Sequence, residues 1–319
     1  MKLYLGTYTK KASEGIYQLH LNHDHFENLE LLHKVDNPTY IEKASNELFS
    51  VVKEGSQGGL AYFKDDVFVN QVVEEGAPPC FVSSIETKGL VFSANYHGGR
   101  INVYTVSEEG LKDHQKLSFG EGSKAHYIKY DEQLERVLVC DLGLDRVYAF
   151  SINEDRKLVL SATYQADPKT GPRHLIVHPV SNLIYVFTEV SSEIHVLELR
   201  NDELNLVEKV SALPIDVDAQ KWGAAIRLSN DGRYLYVSNR GHDSISVFEV
   251  NETLRLIQNL PTEGVQPRDF NISPCGRYCV VANHDTNNLT LFKIDQVSGK
   301  LSLLEKDFFA PEAVCVVFG

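Results

Sequence analysis

The sequence has one tryptophan, one methionine and only five cysteines in 319 residues. Cys80, Cys140, Cys275, Cys279 and Cys315 are odd in number and form no C-x-x-C pair. This argues against a disulfide framework and leaves reduced, mostly buried thiols as the expectation. There is no stretch of 18 or more apolar residues, which excludes a transmembrane helix. The first ten residues hold no apolar core followed by a small-residue cleavage site, so a cytoplasmic protein without a secretory signal is expected. Basic residues are also scarce: 31 Lys and Arg stand against 44 Asp and Glu, a net charge of −13. A uniformly acidic surface repels nucleic acid and anionic lipid, so neither is an expected partner. Any place where arginines gather therefore stands out. Disorder is excluded as well, because 43% apolar and 24% charged residues is the composition of an ordinary folded chain.

What is present is a repeat. Segments of strand, turn, strand, polar residue and third strand begin at Gly171 (GPRHLIVHPVSNLIYVFTEVSSEIHVLEL), Ala224 (AAIRLSNDGRYLYVSNRGHDSISVFEV) and Pro267 (PRDFNISPCGRYCVVANHDTNNLTLFKI). Fainter copies start at Pro38, Pro79 and Ala125. Their strands alternate apolar and polar residues and are rich in β-branched and aromatic side chains, with Asn-Asp-Gly and Cys-Gly-Arg turns between them. The residues that close the second strand of each copy, Glu54, Asn95, Asp141, Glu189, Asn239 and Asn283, lie 41, 46, 48, 50 and 44 positions apart. A four-stranded propeller blade runs to roughly 40–50 residues.

A second count agrees. Amphipathic strands follow charged turns from Phe26, Asp66, Gly110, Arg156, Glu203, Thr253 and Lys300, seven in all. Six full copies leave one blade divided between the ends. AVCVVF (313–318) reads as its innermost strand, and KLYLGTY and GIYQLHL (from Lys2 and Gly15) read as its second and third. The expectation is one all-β domain over residues 1–319. It is a seven-bladed β-propeller of four-stranded antiparallel blades, closed by pairing the C-terminal strand with the N-terminal ones. An eight-bladed ring is the alternative. The longest irregular stretch, Pro214 to Trp222, is expected to cross one face between two blades.

In such a ring a binding site is expected at one mouth of the central channel, between the starts of the first strands and the ends of the second. The starts read Lys124-Ala125-His126, Arg173-His174, Ala224-Ala225 and Arg268-Asp269. The ends read Asn95-Tyr96-His97, Asp141, Glu189, Asn239-Arg240 and Asn283-His284. Asn239, Asn283 and Asp141 suit strand capping, and Arg173 with Glu189 suits an ion pair. Three arginines, several histidines and a carboxylate at one mouth suit an anionic substrate, because guanidinium forks bind carboxylate or phosphate bidentately. A histidine and a glutamate there suit acid–base chemistry. Other chemistries have less support. There is no G-x-S-x-G elbow and no phosphate-binding glycine loop. His23 and His25 form an H-x-H in a polar turn, too few ligands for a zinc site. A ring of Asn95, Asp141, Glu189 and Asn239 offers oxygens to a hard cation, but the nearby arginines compete for the same carboxylate.

These runs resemble one family. GPRHLIVHP with Glu189 fourteen residues after Leu175, DGRYLYVSNRGHDSISVF and QPRDFNISPCGRY are similar to segments of the propeller-type lactonases. That family includes 6-phosphogluconolactonase of the pentose phosphate pathway and a fungal carboxy-muconate lactonising enzyme. NYHGGRINVY, DLGLDRVYAF and the opening YLGTYT extend the resemblance over nearly the whole chain. The resemblance implies a metal-independent, cofactor-free lactone hydrolase with His126, Arg173, Glu189 and Arg240 as its catalytic group. Its substrate would be a small anionic sugar lactone. Asn95, His97, His174, Asn239 and Arg268 are the expected substrate-binding residues, and a monomer or weak homodimer is expected. The chain departs from the family pattern at Ala225, where a carboxylate is usual, and at Lys124-Ala125, where a proline is frequent. As a hypothesis, Glu189 or His126 is the base, Arg173 holds the oxyanion, and Arg240 and Arg268, with His174, hold a phosphate. The competing classes are a lactonising cyclase on a muconate-type acid, a metal-dependent sugar lactonase and a non-catalytic interaction platform. The platform lacks the Gly-His and Trp-Asp signatures of WD repeats.

Overall fold

A computed structural model describes residues 1–214 and 222–319. The interior of the Pro214–Trp222 stretch lies outside the described residues. The chain forms seven four-stranded antiparallel sheets. Blade 1 joins Ala313–Phe318 to Lys2–Thr7, Gly15–Asn22 and His25–Lys34. Blades 2 to 7 follow in sequence, their innermost strands being Ile41–Ala44, Phe81–Ile85, Ala125–Asp131, Pro172–Val177, Trp222–Leu228 and Pro267–Ile272. Each innermost strand touches the next around the ring, including Ala313–Phe318 against its neighbours in blades 2 and 7. The ring closes as expected, with Leu3 opposite Phe318 and Leu5 opposite Val316. The outer strands begin within two residues of the positions read from the sequence. Among the described residues the only helical segment is one 3₁₀ turn, Glu86–Lys88.

The strand alternation has a direct packing consequence. Both faces of a blade are covered by neighbouring blades, so inner strands such as Tyr234–Arg240 are buried throughout, whereas outer strands such as Glu203–Ser211 bury few residues. The core is therefore a set of apolar seams between blades rather than one nucleus. Leu3, Leu5 and Leu19 of blade 1 meet Val280 and Leu289 of blade 7, and Tyr236 and Val247 of blade 6 meet Phe270 and Val281 of blade 7. A fully buried Leu or Phe in such a seam contributes about 1.5–3 kcal/mol relative to exposure.

One irregularity recurs at the start of the innermost strands and positions the site. In blade 4, Ala125 faces Asp141 and Tyr127 faces Cys140, leaving His126 without a partner. In blade 5 Arg173 is left over in the same way, in blade 7 Arg268, and in blade 1 Val314. Blade 6 has the extra residue within Ala224–Ala225. Such bulges turn a side chain out of the alternation of the strand. Here His126, Arg173, Arg268 and Val314 all point into one cavity at the channel mouth.

Candidate active site

The mouth cavity encloses about 780 Å³. Its cationic lining is Lys10, Lys53, Arg173, Arg240 and Arg268, against two carboxylates, Glu189 and Asp269. A surplus of positive charge in a concave site of an acidic protein focuses anions there. Below it, Asp269 bonds to Arg227 Nη2 at 2.9 Å and accepts the Val316 N–H at 2.9 Å. Arg227 lines a second cavity of about 370 Å³, whose other wall residues, including Lys129, Asp131 and Val317, place it at the opposite end of the channel.

Arg173 is 3% exposed and Arg240 7%, so each needs compensation for its buried charge. Glu189 supplies it to both. Its Oε2 accepts Arg173 Nε at 3.0 Å and lies 2.8 Å from Arg240 Nη2. Backbone carbonyls complete the forks: Arg173 Nη1 donates to Ala224 O at 2.6 Å, and Arg240 Nη2 to Gly223 O at 2.9 Å. Burial would raise the Glu189 carboxyl, but Arg173, Arg240 and Arg268 outweigh it and hold the group below the ordinary carboxylate range. Burial and the charge of Arg240 bring the Arg173 guanidinium down to about 10, still protonated at neutral pH.

The histidines are set differently. Burial, then Arg173, holds both His126 and His174 well below the ordinary imidazole value, so both are neutral at pH 7. Arg173 Nη1 donates to His174 Nε2 at 3.3 Å, which fixes the protonated nitrogen of a neutral His174 as Nδ1. The His174 ring lies edge-on to Phe81 at 5.4 Å and 5.2 Å from the His126 ring. His126 Nδ1 is buried without a hydrogen-bond partner. Cys80 also lines the cavity, but burial pushes its thiol up to about 12, where it is not a nucleophile.

Seven of the nine site residues expected from the sequence line this cavity: His126, Arg173, Glu189, Arg240, His97, His174 and Arg268. Asn95 and Asn239 do not. Asn95 donates to Ala77 O and accepts Gly98 N–H, closing its own turn. Asn239 is fully buried against Ser244 and Ser246. Both are second-strand ends whose amides answer nearby turns and strands, which keeps them outside the cavity lining. Asp141 and Asn283 are structural as expected, Asp141 holding Ser123 Oγ and the Lys124, Gly143 and Leu144 N–H groups. Of the four residues in the supposed cation ring, only Glu189 lines the cavity. His25 bonds to Glu27 on an exposed turn. The sequence reading missed Tyr8, Lys10, Tyr40, Lys53 and Cys80. A usable signal existed for part of this set. Pro38, Pro79, Pro172 and Pro267 stand one or two residues before Tyr40, Cys80, Arg173 and Arg268, and proline in sheets gathers at strand starts and bulges.

A ring of blades carrying a guanidinium–carboxylate cluster and neutral imidazoles at one mouth is an enzyme-like propeller with a small-molecule cavity. The family model for the seven-bladed β-propeller lactonases matches residues 2–318. The chain is 36% identical, over 99% of its length and 97% of the relative's, to a Bacillus subtilis protein named 6-phosphogluconolactonase. A crystal structure of a Lactobacillus plantarum protein superposes with a TM-score of 0.95 at 38% identity, covering 99% of this chain and 98% of that one. The periplasmic gluconolactonase of Pseudomonas aeruginosa gives 0.89 at 25% identity, covering 99% and 98%. The chain belongs to the seven-bladed β-propeller lactonase family, and its class of activity is lactone hydrolysis.

Proposed function

We propose that the chain hydrolyses 6-phospho-glucono-δ-lactone to 6-phosphogluconate, as a cytoplasmic enzyme of the pentose phosphate pathway. The observation that carries this reading is the Arg173–Glu189–Arg240 cluster beside a neutral, unpartnered His126 in a cationic cavity. A δ-lactone is an activated ester. Its hydrolysis needs an aimed water, a base for the water's proton and positive charge for the oxyanion. His126 is the base in this reading. Protonating Glu189 instead would remove the shared counter-charge of two buried guanidinium groups. An imidazolium formed on His126 would stand beside the oxyanion created in the same step. Arg173 stabilises that oxyanion, Glu189 holds Arg173 and Arg240 in place, and His174 orients Arg173. Arg240 and Arg268 hold the anionic part of the substrate. Breakdown of the tetrahedral intermediate returns the proton to the ring oxygen, which leaves as the 5-hydroxyl.

The test is hydrolysis of freshly generated lactone with EDTA present, read by coupling to 6-phosphogluconate dehydrogenase and compared with the spontaneous rate. Acceleration should survive EDTA and fall by about two orders of magnitude in kcat/KM with Arg173→Ala, the usual cost of one oxyanion donor. A loss under about threefold refutes the role of Arg173. Activity only after adding a divalent cation refutes the metal-free reading. A second reading, hydrolysis of an unphosphorylated gluconolactone, is favoured by the likeness to the Pseudomonas protein. Relative kcat/KM on the two lactones separates them.

A further inference from the structure

Among the mouth residues that the arrangement above leaves unused are Tyr8 and Lys10, and they are tied together. The segment after Tyr8 connects the second and third strands of blade 1. Four of its consecutive backbone N–H groups, from Lys10, Lys11, Ala12 and Ser13, donate to the carboxylate of Glu312 at 2.9–3.1 Å. Glu312 is 4% exposed. Its own N–H donates to Asn287 Oδ1 at 2.8 Å, and its carbonyl accepts Tyr8 N–H at 3.0 Å. Successive N–H groups wrapped on one carboxylate form a rigid cradle. Closing the ring of blades does not require it, because the Lys2–Thr7 strand already pairs with Ala313–Phe318.

The cradle fixes the backbone that carries Tyr8 and Lys10 into the mouth. Lys10 Nζ lies 4.1 Å from the centre of the Tyr8 ring, and the Arg268 guanidinium carbon lies 5.9 Å from the same centre. The Tyr8 ring thus brings two cations together. Among the described residues neither makes an ion pair, although other surface lysines, Lys34, Lys116 and Lys306, each find a carboxylate. In a chain of net charge −13, two cations without an ion-pair partner on one aromatic ring suit an anion. Arg173 and Arg240 differ, because they already share Glu189.

We propose that Lys10 and Arg268, gathered on Tyr8, form a phosphate clamp that makes this lactonase discriminate phosphorylated from unphosphorylated sugar acids and lactones, with Glu312 as its positioning residue. The proposal rests on the lactonase reading for its substrate class. A phosphate dianion matches two cations that lack ion-pair partners, with Arg240 beside Arg268, while the carboxyl end, at the far side of the sugar, falls to Arg173. Lys10 is a specificity residue and touches the phosphate. Glu312 acts through the backbone of Lys10 and does not touch the ligand.

Calorimetric binding of 6-phosphogluconate and of gluconate to the full chain tests this without turnover. The wild-type protein should bind the phosphorylated acid at least tenfold more tightly. Lys10→Met should cut that preference about tenfold, the value of one charge-assisted contact, and Lys10→Arg should restore most of it. Glu312→Gln should reduce the same preference in the same direction, whereas general damage to the mouth would weaken both acids equally. A wild-type protein without preference, or a preference unmoved by Lys10→Met, overturns the clamp. If the clamp behaves as stated but neither lactone is hydrolysed, the lactonase reading of the site falls and the anion site stands.

Discussion

Glu189 is the counter-charge of the whole cluster, so Glu189→Gln is the most informative single change. The amide keeps the size of the side chain and removes the charge that faces Arg173 at 3.0 Å and Arg240 at 2.8 Å. At an effective dielectric near 20, each of those contacts is worth roughly 6 kcal/mol before desolvation is counted. Breaking a buried pair by removing one partner costs about 3–5 kcal/mol. The Glu189 side chain is 23% exposed, so water offsets part of the loss and the lower end, about 3 kcal/mol, is expected. For a chain of this size that is a fall in Tm of roughly 5–10 °C. It should also appear as a lower urea midpoint at unchanged slope. The sign with pH follows from the carboxyl lying below its ordinary value of 4.5 in the folded protein. Its stabilisation is full above that ordinary value and is lost as pH falls through the folded one. The gap between wild type and Glu189→Gln should therefore be widest at neutral pH and close in acid. A variant within 0.5 kcal/mol (about a sixth of the effect) of wild type at pH 7, or a gap unchanged down to acid pH, refutes the assignment of Glu189 as the clamp on both arginines.

Three further outcomes follow from the same geometry. Arg240→Ala should raise KM for the phosphorylated lactone more than it lowers kcat, as removal of uniform binding does; steady-state kinetics showing a change in kcat alone would contradict this. His126→Asn should lower kcat/KM by about two orders of magnitude or more. Because burial and Arg173 hold His126 well below its ordinary 6.5, the acid limb of the wild-type profile should lie below pH 6.5, the rate falling as the base is protonated; a limb at or above pH 7 assigns the base elsewhere. Removing residues 312–319 should abolish soluble folded protein, because it takes away the innermost strand of blade 1 and the Glu312 cradle; a truncated chain with native circular dichroism would show that ring closure is dispensable.

The ring was legible because its signals are local and repeated. Strand alternation, turn chemistry and spacing each recur, so an error in one blade is corrected by the others. Even the divided blade was readable, since AVCVVF at one end lacks second and third strands and KLYLGTY at the other lacks a first. The cavity was less so. His126, Arg173 and Arg268 were found as unusual residues at strand starts, but the bulges that turn them inward are register differences between two strands, and one strand alone does not encode them. Asn95 and Asn239 were drawn in by position only. An amide at a strand end serves a turn or a ligand equally well, and here Ala77, Gly98, Ser244 and Ser246 claim them. Lys10 was invisible because its placement depends on Glu312, about three hundred positions away.

The bulges also explain how so rigid a fold carries such a charged site. A regular innermost strand would send alternate side chains into the seams between blades, where an arginine or histidine could not be solvated. An extra residue at the strand start places one side chain at the mouth in blades 1, 4, 5 and 7 without disturbing the apolar seams below it. Blade by blade that position holds Val314, His126, Arg173 and Arg268, with an alanine at blade 6. Chemistry is thus written at single positions of a repeated frame. In blade 6 the backbone takes part instead: the Ala224 carbonyl accepts Arg173 Nη1 at 2.6 Å. The same frame can therefore change substrate by exchanging mouth residues while its seams, and with them its stability, stay as they are.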